Sequence, residues 1–329
     1  MASRVILHIG LMKSGTTFLQ GRLDANRQSL QEQGILFPGP GWQDQVHGLG
    51  EFFGFTRSMR PTPGAWSELR AQIDDHQGLT IISLELLAAV VRPNIERLVD
   101  DFRGTPISVV ATVRDLGRNV PAMWQESLKN RYTYSWPEYV AGVRDRVGDA
   151  GKHFWRQHAT WTILQRWSEY VPELTLVTVP QSGGTETLWE RFAGVCGIEG
   201  ADWLPGDFNN PSLGAAAATY LLELNASTLD MPWDEYNVEI KSNLVREVLS
   251  TYREHDQPIG FEVEPWLIEK YDFLSGRLEA LAQQGMRVVG DLAELRPRSV
   301  SGVDPTAVTD DQVDAVRRVV AQYREASRS

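Results

Sequence analysis

The sequence predicts an α/β protein with a central parallel sheet flanked by helices. Three observations carry this expectation. Apolar, β-branched runs recur at residues 4–10, 35–37, 80–83, 107–113 and 174–179, with stretches of helical spacing between them. Strands alternating with helices give parallel sheets, because a parallel crossover needs a helix-length connection. The runs are apolar at consecutive positions, the pattern of strands covered on both faces. Finally, 329 residues with 42% hydrophobic and 23% charged side chains are enough for a sizeable core and too apolar for a disordered chain.

The elements follow in order. Residues 4–10 form a first strand, and residues 11–17 a tight loop leading into an amphipathic helix over 18–33 that Gly34 stops. A short strand at 35–37 is broken by Pro38 and Pro40, and a polar region containing Gly and Pro runs to about Gly64. Helical spacing over 66–76 precedes the third strand, and 84–98 reads as mostly helix interrupted at Pro93. The fourth strand, 107–113, is the cleanest; it ends at Arg114 and Asp115, where a helix to about Asn130 begins. Residues 136–170 are helical and rich in Trp, 174–179 are a fifth strand ended by Pro180, and 188–195 are a helix. Beyond Pro211 the chain is mostly helical, notably 215–224 and 243–252. A last apolar run at 286–289 precedes a proline-containing linker near Pro297, and 310–328 reads as an amphipathic helix.

The formal net charge of −11 argues against general nucleic-acid affinity, which needs a basic field along the phosphates, but leaves room for a local anion site. Cys196 is the single cysteine, so no intramolecular disulfide is expected, and it is read as filling space near Phe192 and Val195. The six histidines are scattered and no carboxylate cluster has ligand spacing, so no metal is expected. The amino end has an apolar run too short for a secretory segment, and no stretch approaches the roughly 18 apolar residues of a membrane span. A soluble, reduced, cytoplasmic protein is the expectation.

The informative segment is 10–17. A glycine-bearing loop between a first strand and a helix aims backbone N–H groups at one point, and the helix dipole adds positive potential there. Lys13 supplies a charge and three donors, Gly15 the turn, and Ser14, Thr16 and Thr17 hydroxyls. The ATP-binding loop G-x-x-x-x-G-K-[ST] has its Lys after the second Gly, whereas Lys13 precedes Gly15, which disfavours an ordinary Walker-type ATPase.

On these residues the chain resembles the sulfotransferases that use 3′-phosphoadenosine 5′-phosphosulfate (PAPS), most closely a bacterial, largely actinobacterial branch. In that family the 5′-phosphosulfate loop reads like Lys13-Ser14-Gly15-Thr16-Thr17 after the first strand. A second family element is a strand ending in Arg, with a Ser about two helical turns later, both gripping the 3′-phosphate. Here that Arg is Arg114, Arg118 lies one turn on, and the Ser position falls at Ala122. This departure leaves the 3′-phosphate to Arg114 with Arg118 and Asn119. Further similarity lies at 161–180, 210–214 and 288–292. The resemblance thus touches most of 4–297.

It implies a P-loop nucleotide-kinase-like sulfotransferase fold over 1–297, with helical lid or acceptor regions at about 40–75 and 130–170. Residues 298–329 would be a linker and a terminal helix. It also implies PAPS as donor, PAP as product, and a small-molecule or glycolipid hydroxyl as acceptor. Lys13 would stabilise the bridging oxygen. Glu85, just after the third strand, is a candidate base because several family members use a Glu there; a carboxylate favoured by a helix N-terminus is the equal alternative. His47, after the second strand, is the second candidate. His8 reads as a satisfied core histidine. His153 and His158 flank Trp155 and, with Trp124, are weak candidates for an acceptor pocket, while Trp161 and Trp167 read as core. Lys129-Asn130-Arg131 is either a solvated helix end or an added phosphate grip, as are Lys241 and Arg246. The rival readings are a P-loop kinase-like phosphotransferase and a non-catalytic nucleotide-binding protein.

Overall fold

Runs of Val, Ile and Leu bury best when both faces of each strand are covered, and the chain satisfies this with six strands. The computed structural model describes residues 2–54, 62–200, 202–206 and 212–326. Asn210 and Pro211, residues 55–61 and Arg328 lie outside the described residues.

In chain order the elements are β1 (Arg4–His8), α1 (Thr16–Ala25), α2 (Arg27–Glu32), β2 (Ile35–Leu36), α3 (Trp42–Phe53), α4 (Ala65–Asp75), β3 (Leu79–Ser83), a 3₁₀ turn (Glu85–Ala89) and α5 (Arg92–Asp101). There follow β4 (Ile107–Val113), α6 (Leu116–Lys129), α7 (Trp136–Asp145), α8 (Gly148–His158), α9 (Thr160–Ser168), β5 (Glu173–Thr178) and α10 (Gly184–Cys196). The remainder comprises α11 (Ala215–Ser227), α12 (Trp233–Tyr236), a π-helix (Asn237–Leu249), α13 (Pro265–Gln283), β6 (Arg287–Val289) and α14 (Asp310–Ala326). The chain divides into two compact units, one of residues 1–114, 157–209 and 272–295, the other of 115–156, 210–271 and 296–329. Among the described residues no helix is long and apolar enough to cross a membrane.

The first unit holds an all-parallel sheet of order β2-β3-β1-β4-β5-β6. Leu7 of β1 lies beside Ile82 of β3 and Val109 of β4, and β4 is buried at all seven positions. On one face Ile6, Ile81, Val110 and Val177 pack with Leu19 and Leu23 of α1 and Leu188 and Phe192 of α10. Cys196 lies in this cluster beside Val195, and burial pushes its thiol well above its ordinary range. Trp167 is fully buried, and its indole N–H donates to Leu87 O at 3.2 Å. Arg22 ties α1 to α10: both terminal nitrogens donate to Glu186 at 2.6 Å, and the guanidinium lies over the rings of Phe18 and Trp189.

Four differences from the sequence expectation have physical causes. The helix expected over 18–33 is two helices, because Asn26 turns its amide onto the carbonyls of Arg22 and Leu204 and competes with the helical ladder. The polar region before Gly64 contains α3, whose apolar period is masked by glycines. Gly48 allows close packing there, since a Cβ would lie 2.3 Å from Leu69 Cδ1 of α4 and would displace that side chain. Pro93 opens α5 rather than interrupting a helix, a position where its missing N–H costs nothing. The apolar run at 286–289 supplies β6, paired in parallel with β5; three residues carry too little periodicity to announce a strand.

The second unit is helical. Asn225 of α11 is buried and fully bonded: its amide donates to Leu128 O at 2.8 Å and Tyr132 O at 3.0 Å, and its carbonyl accepts from the Tyr236 hydroxyl at 2.6 Å. Trp124 and Trp136 meet edge to face at 5.2 Å, and Trp136 meets Phe261 likewise at 5.6 Å. The helix expected over 243–252 is largely the π-helix, with Ser242 bonded back to Asn237 O. Replacing Asn225 with Leu removes three hydrogen bonds of this network, while Leu128 O keeps the Arg131 N–H and the Tyr236 hydroxyl, so Asn225→Leu is expected to cost about 1–3 kcal/mol in denaturant unfolding. A cost below about 1 kcal/mol would contradict the buried network.

A candidate anion-binding site at the end of strand β1

The site is built on the turn between β1 and α1. The backbone stays paired past the end of β1, with Ile9 N–H donating to Val110 O at 2.9 Å and Leu11 N–H to Thr112 O at 3.0 Å. The chain then reverses through Lys13 at φ 62° and Gly15 at φ 83°. Such a conformation strains a lysine by about 1–2 kcal/mol but suits glycine. Gly15 is doubly constrained, because a Cβ there would also meet Leu188 at 2.3 Å. Gly10 lets the chain pass closely, since its Cβ would fall 2.3 Å from Thr112 Oγ1, 2.4 Å from Thr16 Cγ2 and 2.7 Å from His8 Nε2.

Gly15 caps α1 without a side-chain bond, and Leu19 N–H to Gly15 O, at 3.1 Å, opens the helical ladder. The amides ahead of Leu19 therefore face outward from a ten-residue helix with no acidic residue in its first turn. Backbone donors and helix dipole together favour an anion at this end.

The loop is coupled to β4. Arg114, half-buried at the end of that strand, donates from Nη1 to Lys13 O at 3.3 Å. Two separated sequence motifs, at 13–17 and 114, therefore meet. Ser14 behaves differently from the expectation: it is fully buried, and both its hydroxyl and its N–H donate to Leu11 O. Its hydroxyl holds the turn in shape, leaving Lys13, Thr17 and the first-turn amides as the candidate anion-facing groups. Thr16 is itself largely buried against Gly10, and Thr17 is half-buried.

Glu85 lies just past the end of β3, on the strand beside β1. Its Oε2 accepts from Gln20 Nε2 of α1 at 3.0 Å, and the same nitrogen donates to Ser83 O at 3.2 Å. The end of β3 is also gripped by α3, since Trp42 Nε1 donates to Ser83 O at 2.9 Å and Gln45 Oε1 accepts from Ser83 N–H at 2.9 Å. His47 lies two residues after Gln45 on α3, about 200° around the helix, so the face that grips β3 is not the face that carries His47. Lys13, Arg114 and Glu85 are thus gathered past the ends of three adjacent strands, and His47 is half-buried on the opposite side of its helix.

The other expected residues are placed as follows. Arg118 and Ala122 belong to the second unit, on α6; Arg118 donates from its backbone and from Nε to Asp115, the N-cap of that helix, and Ala122 is half-buried. His153, in the second unit, lies against Tyr132 at 5.1 Å, while His158 is buried in the first, so neither unit unites them. Trp155 donates to Val143 O at 2.7 Å beneath Arg146, and Trp124 is buried, donating to Tyr134 O at 3.0 Å. Asn130 accepts from Lys241 Nζ at 2.7 Å and Arg131 donates to Met231 O at 2.5 Å, so the basic cluster helps close its own helix end. Sequence reasoning missed Gln20 and Thr112, whose partners lie 63 to 104 residues away. Among the described residues no group of three or more His, Cys, Asp or Glu is placed to hold a metal ion. No protein-family model matches the chain, and no curated protein matches it.

His8, as expected, is a satisfied core residue. Its Nδ1 lies 2.7 Å from Ser83 Oγ and its Nε2 3.2 Å from Thr112 Oγ1. Burial pulls its pKa from 6.5 down to about 3. The neutral ring is thus the native form, and the unfolded chain binds the extra proton. The corresponding stability is complete above pH about 6.5 and is lost as pH falls toward 3, at up to about 1.4 kcal/mol per pH unit. Urea unfolding between pH 7 and 4 is expected to show this slope and His8→Gln to remove it; equal slopes would refute the assignment.

Proposed function

We propose that the protein is a PAPS-dependent sulfotransferase acting on a hydroxyl acceptor, with a P-loop nucleotide-kinase-like sulfotransferase fold. The observation that carries the reading is the bond from Arg114 to the Lys13 carbonyl, which joins an anion loop to a strand-terminal arginine. Supporting it are the parallel sheet, the outward first-turn amides of α1, and the place of Lys13 before Gly15. The donor set fits a nucleotide with an anionic group at each end: amides and Lys13 suit the 5′ end, and Arg114 suits a second phosphate by charge-assisted bonding. Arg118 and Ala122 enter through the family resemblance alone.

When bound, the donor supplies the sulfuryl group and a phosphate leaving group. The acceptor hydroxyl oxygen bonds to sulfur as the sulfur–oxygen bond to the 5′-phosphate breaks, its electron pair staying on the phosphate. Lys13 stabilises the charge growing on that oxygen, and the amides of α1 hold the phosphate in line. Glu85, held by Gln20, accepts the hydroxyl proton. His47 remains the alternative base, disfavoured by its face of α3. The acceptor class is a small-molecule or glycolipid hydroxyl, and the site of action is the cytoplasm.

A kinase-like phosphotransferase is the rival, separated by whether PAP or ATP is bound in calorimetry; tight ATP binding with none of PAP would overturn the proposal. Lys13→Ala is expected to lower transfer about 10²–10³-fold at saturating donor, the effect typical of losing one transition-state donor. Near-normal turnover would remove Lys13 from the chemistry. Glu85→Gln is expected to cost about 10²–10⁴ in turnover with PAP affinity unchanged. If His47→Gln carries that loss instead, the base is His47.

A further inference from the structure

Beneath the anion loop runs a chain of buried polar groups that no ligand-facing role accounts for. It links Ser83 of β3, His8 of β1, Thr112 of β4 and Ser14 of the turn, all at 0% exposure. The contacts are Ser83 Oγ to His8 Nδ1 at 2.7 Å, His8 Nε2 to Thr112 Oγ1 at 3.2 Å, and Thr112 Oγ1 to Ser14 Oγ at 3.0 Å. The chain ends at Leu11 O, which accepts the Ser14 hydroxyl.

Counting protons fixes its direction. Leu11 O is an acceptor only, so Ser14 spends its single hydroxyl proton there. The proton between Ser14 and Thr112 must then come from Thr112. Thr112 has none left for the imidazole, so His8 must donate from Nε2 and accept from Ser83 at Nδ1. The opposite tautomer would turn the Thr112 proton toward His8 and leave two buried oxygens facing each other at 3.0 Å with no proton between them.

We infer that His8 is held as the neutral Nε2–H tautomer and that His8 and Thr112 are positioning residues, which set the anion loop through Ser14 without touching the ligand. The part concerning ligand affinity rests on the proposed function; the tautomer does not. Two contacts cross between neighbouring strands and a third passes from β4 to the turn, so the chain converts the register of β3, β1 and β4 into a fixed height for the turn. A hydrophobic residue at 112 would pack but would leave Ser14 and His8 without their partner.

The test has two parts. In ¹⁵N-histidine-labelled protein without nucleotide, His8 is expected to show a directly bonded proton on Nε2 and a pyridine-type Nδ1; a proton on Nδ1 overturns the inference. Calorimetry with PAP is then expected to show about tenfold weaker binding for Thr112→Val and recovery for Thr112→Ser, with thermal unfolding confirming that both fold. Unchanged affinity in a folded Thr112→Val protein overturns the positioning role. Absence of PAP binding by the unmodified protein sinks the proposed function instead, and the tautomer measurement still decides the arrangement of the chain. That measurement needs no variant, so a Thr112→Val protein that fails to fold does not block it.

Discussion

The fold's functional end depends on one constraint: the chain leaving β1 must turn sharply over a polar bed without leaving any of that bed unbonded. Gly10 supplies the close approach, Lys13 and Gly15 the left-handed backbone, and Ser14 the bond back to Leu11. The bed is a neutral imidazole between two hydroxyls. A charged residue there would carry a desolvation penalty of several kcal/mol, and an apolar one would leave the Ser83 hydroxyl without its acceptor and the Thr112 oxygen without its donor. Histidine kept neutral by burial satisfies three strands at once.

From that constraint the rest of the site follows by topology. In a parallel sheet all strands deliver their carboxyl ends to one edge, where ligands of α/β proteins bind. Here the three central strands end in His8, Ser83 and Val113, and within a few residues of each stands a group with chemistry: Lys13, Glu85 and Arg114. Each is steadied by a neighbour rather than left to solvent. Arg114 bonds the loop carbonyl, Gln20 holds the Glu85 carboxylate, and α3 clamps the end of β3 through Trp42 and Gln45. In the proposed transfer, a carboxylate so oriented would lose little freedom on meeting an acceptor hydroxyl, which is how preorganisation lowers a barrier.

Most of the strands and the tight turn between β1 and α1 were legible in the sequence because both are local signals. An apolar β-branched run and a glycine-bearing turn before a helix are read within ten residues. The roles of Gln20 and Thr112 were not legible, since each depends on partners more than 60 residues distant and neither residue type is unusual where it stands. Ser14 shows the limit from the other side: its motif suggests a ligand hydroxyl, and only the turn geometry reveals that the hydroxyl is spent inward. β6 was missed for want of length, and α3 because the glycines that allow its close packing also hide its period.

The inward hydroxyl also bears on which transfer chemistry the loop suits. In P-loop phosphotransferases the Ser or Thr after the loop lysine holds magnesium, so its oxygen must face the phosphates. Ser14 follows Lys13 directly, though ahead of Gly15 rather than in the Walker register, and its hydroxyl is fully buried and bonded between Thr112 and Leu11. Using it as a metal ligand would mean breaking two buried hydrogen bonds, at about 1–3 kcal/mol each. The groups that remain for an anion, Lys13, the half-buried Thr17 and the first-turn amides, would neutralise it by charge, dipole and hydrogen bonding. Sulfuryl transfer asks for that much, because the transferring group carries less charge than a terminal phosphoryl and the leaving phosphate can be met by a single ammonium.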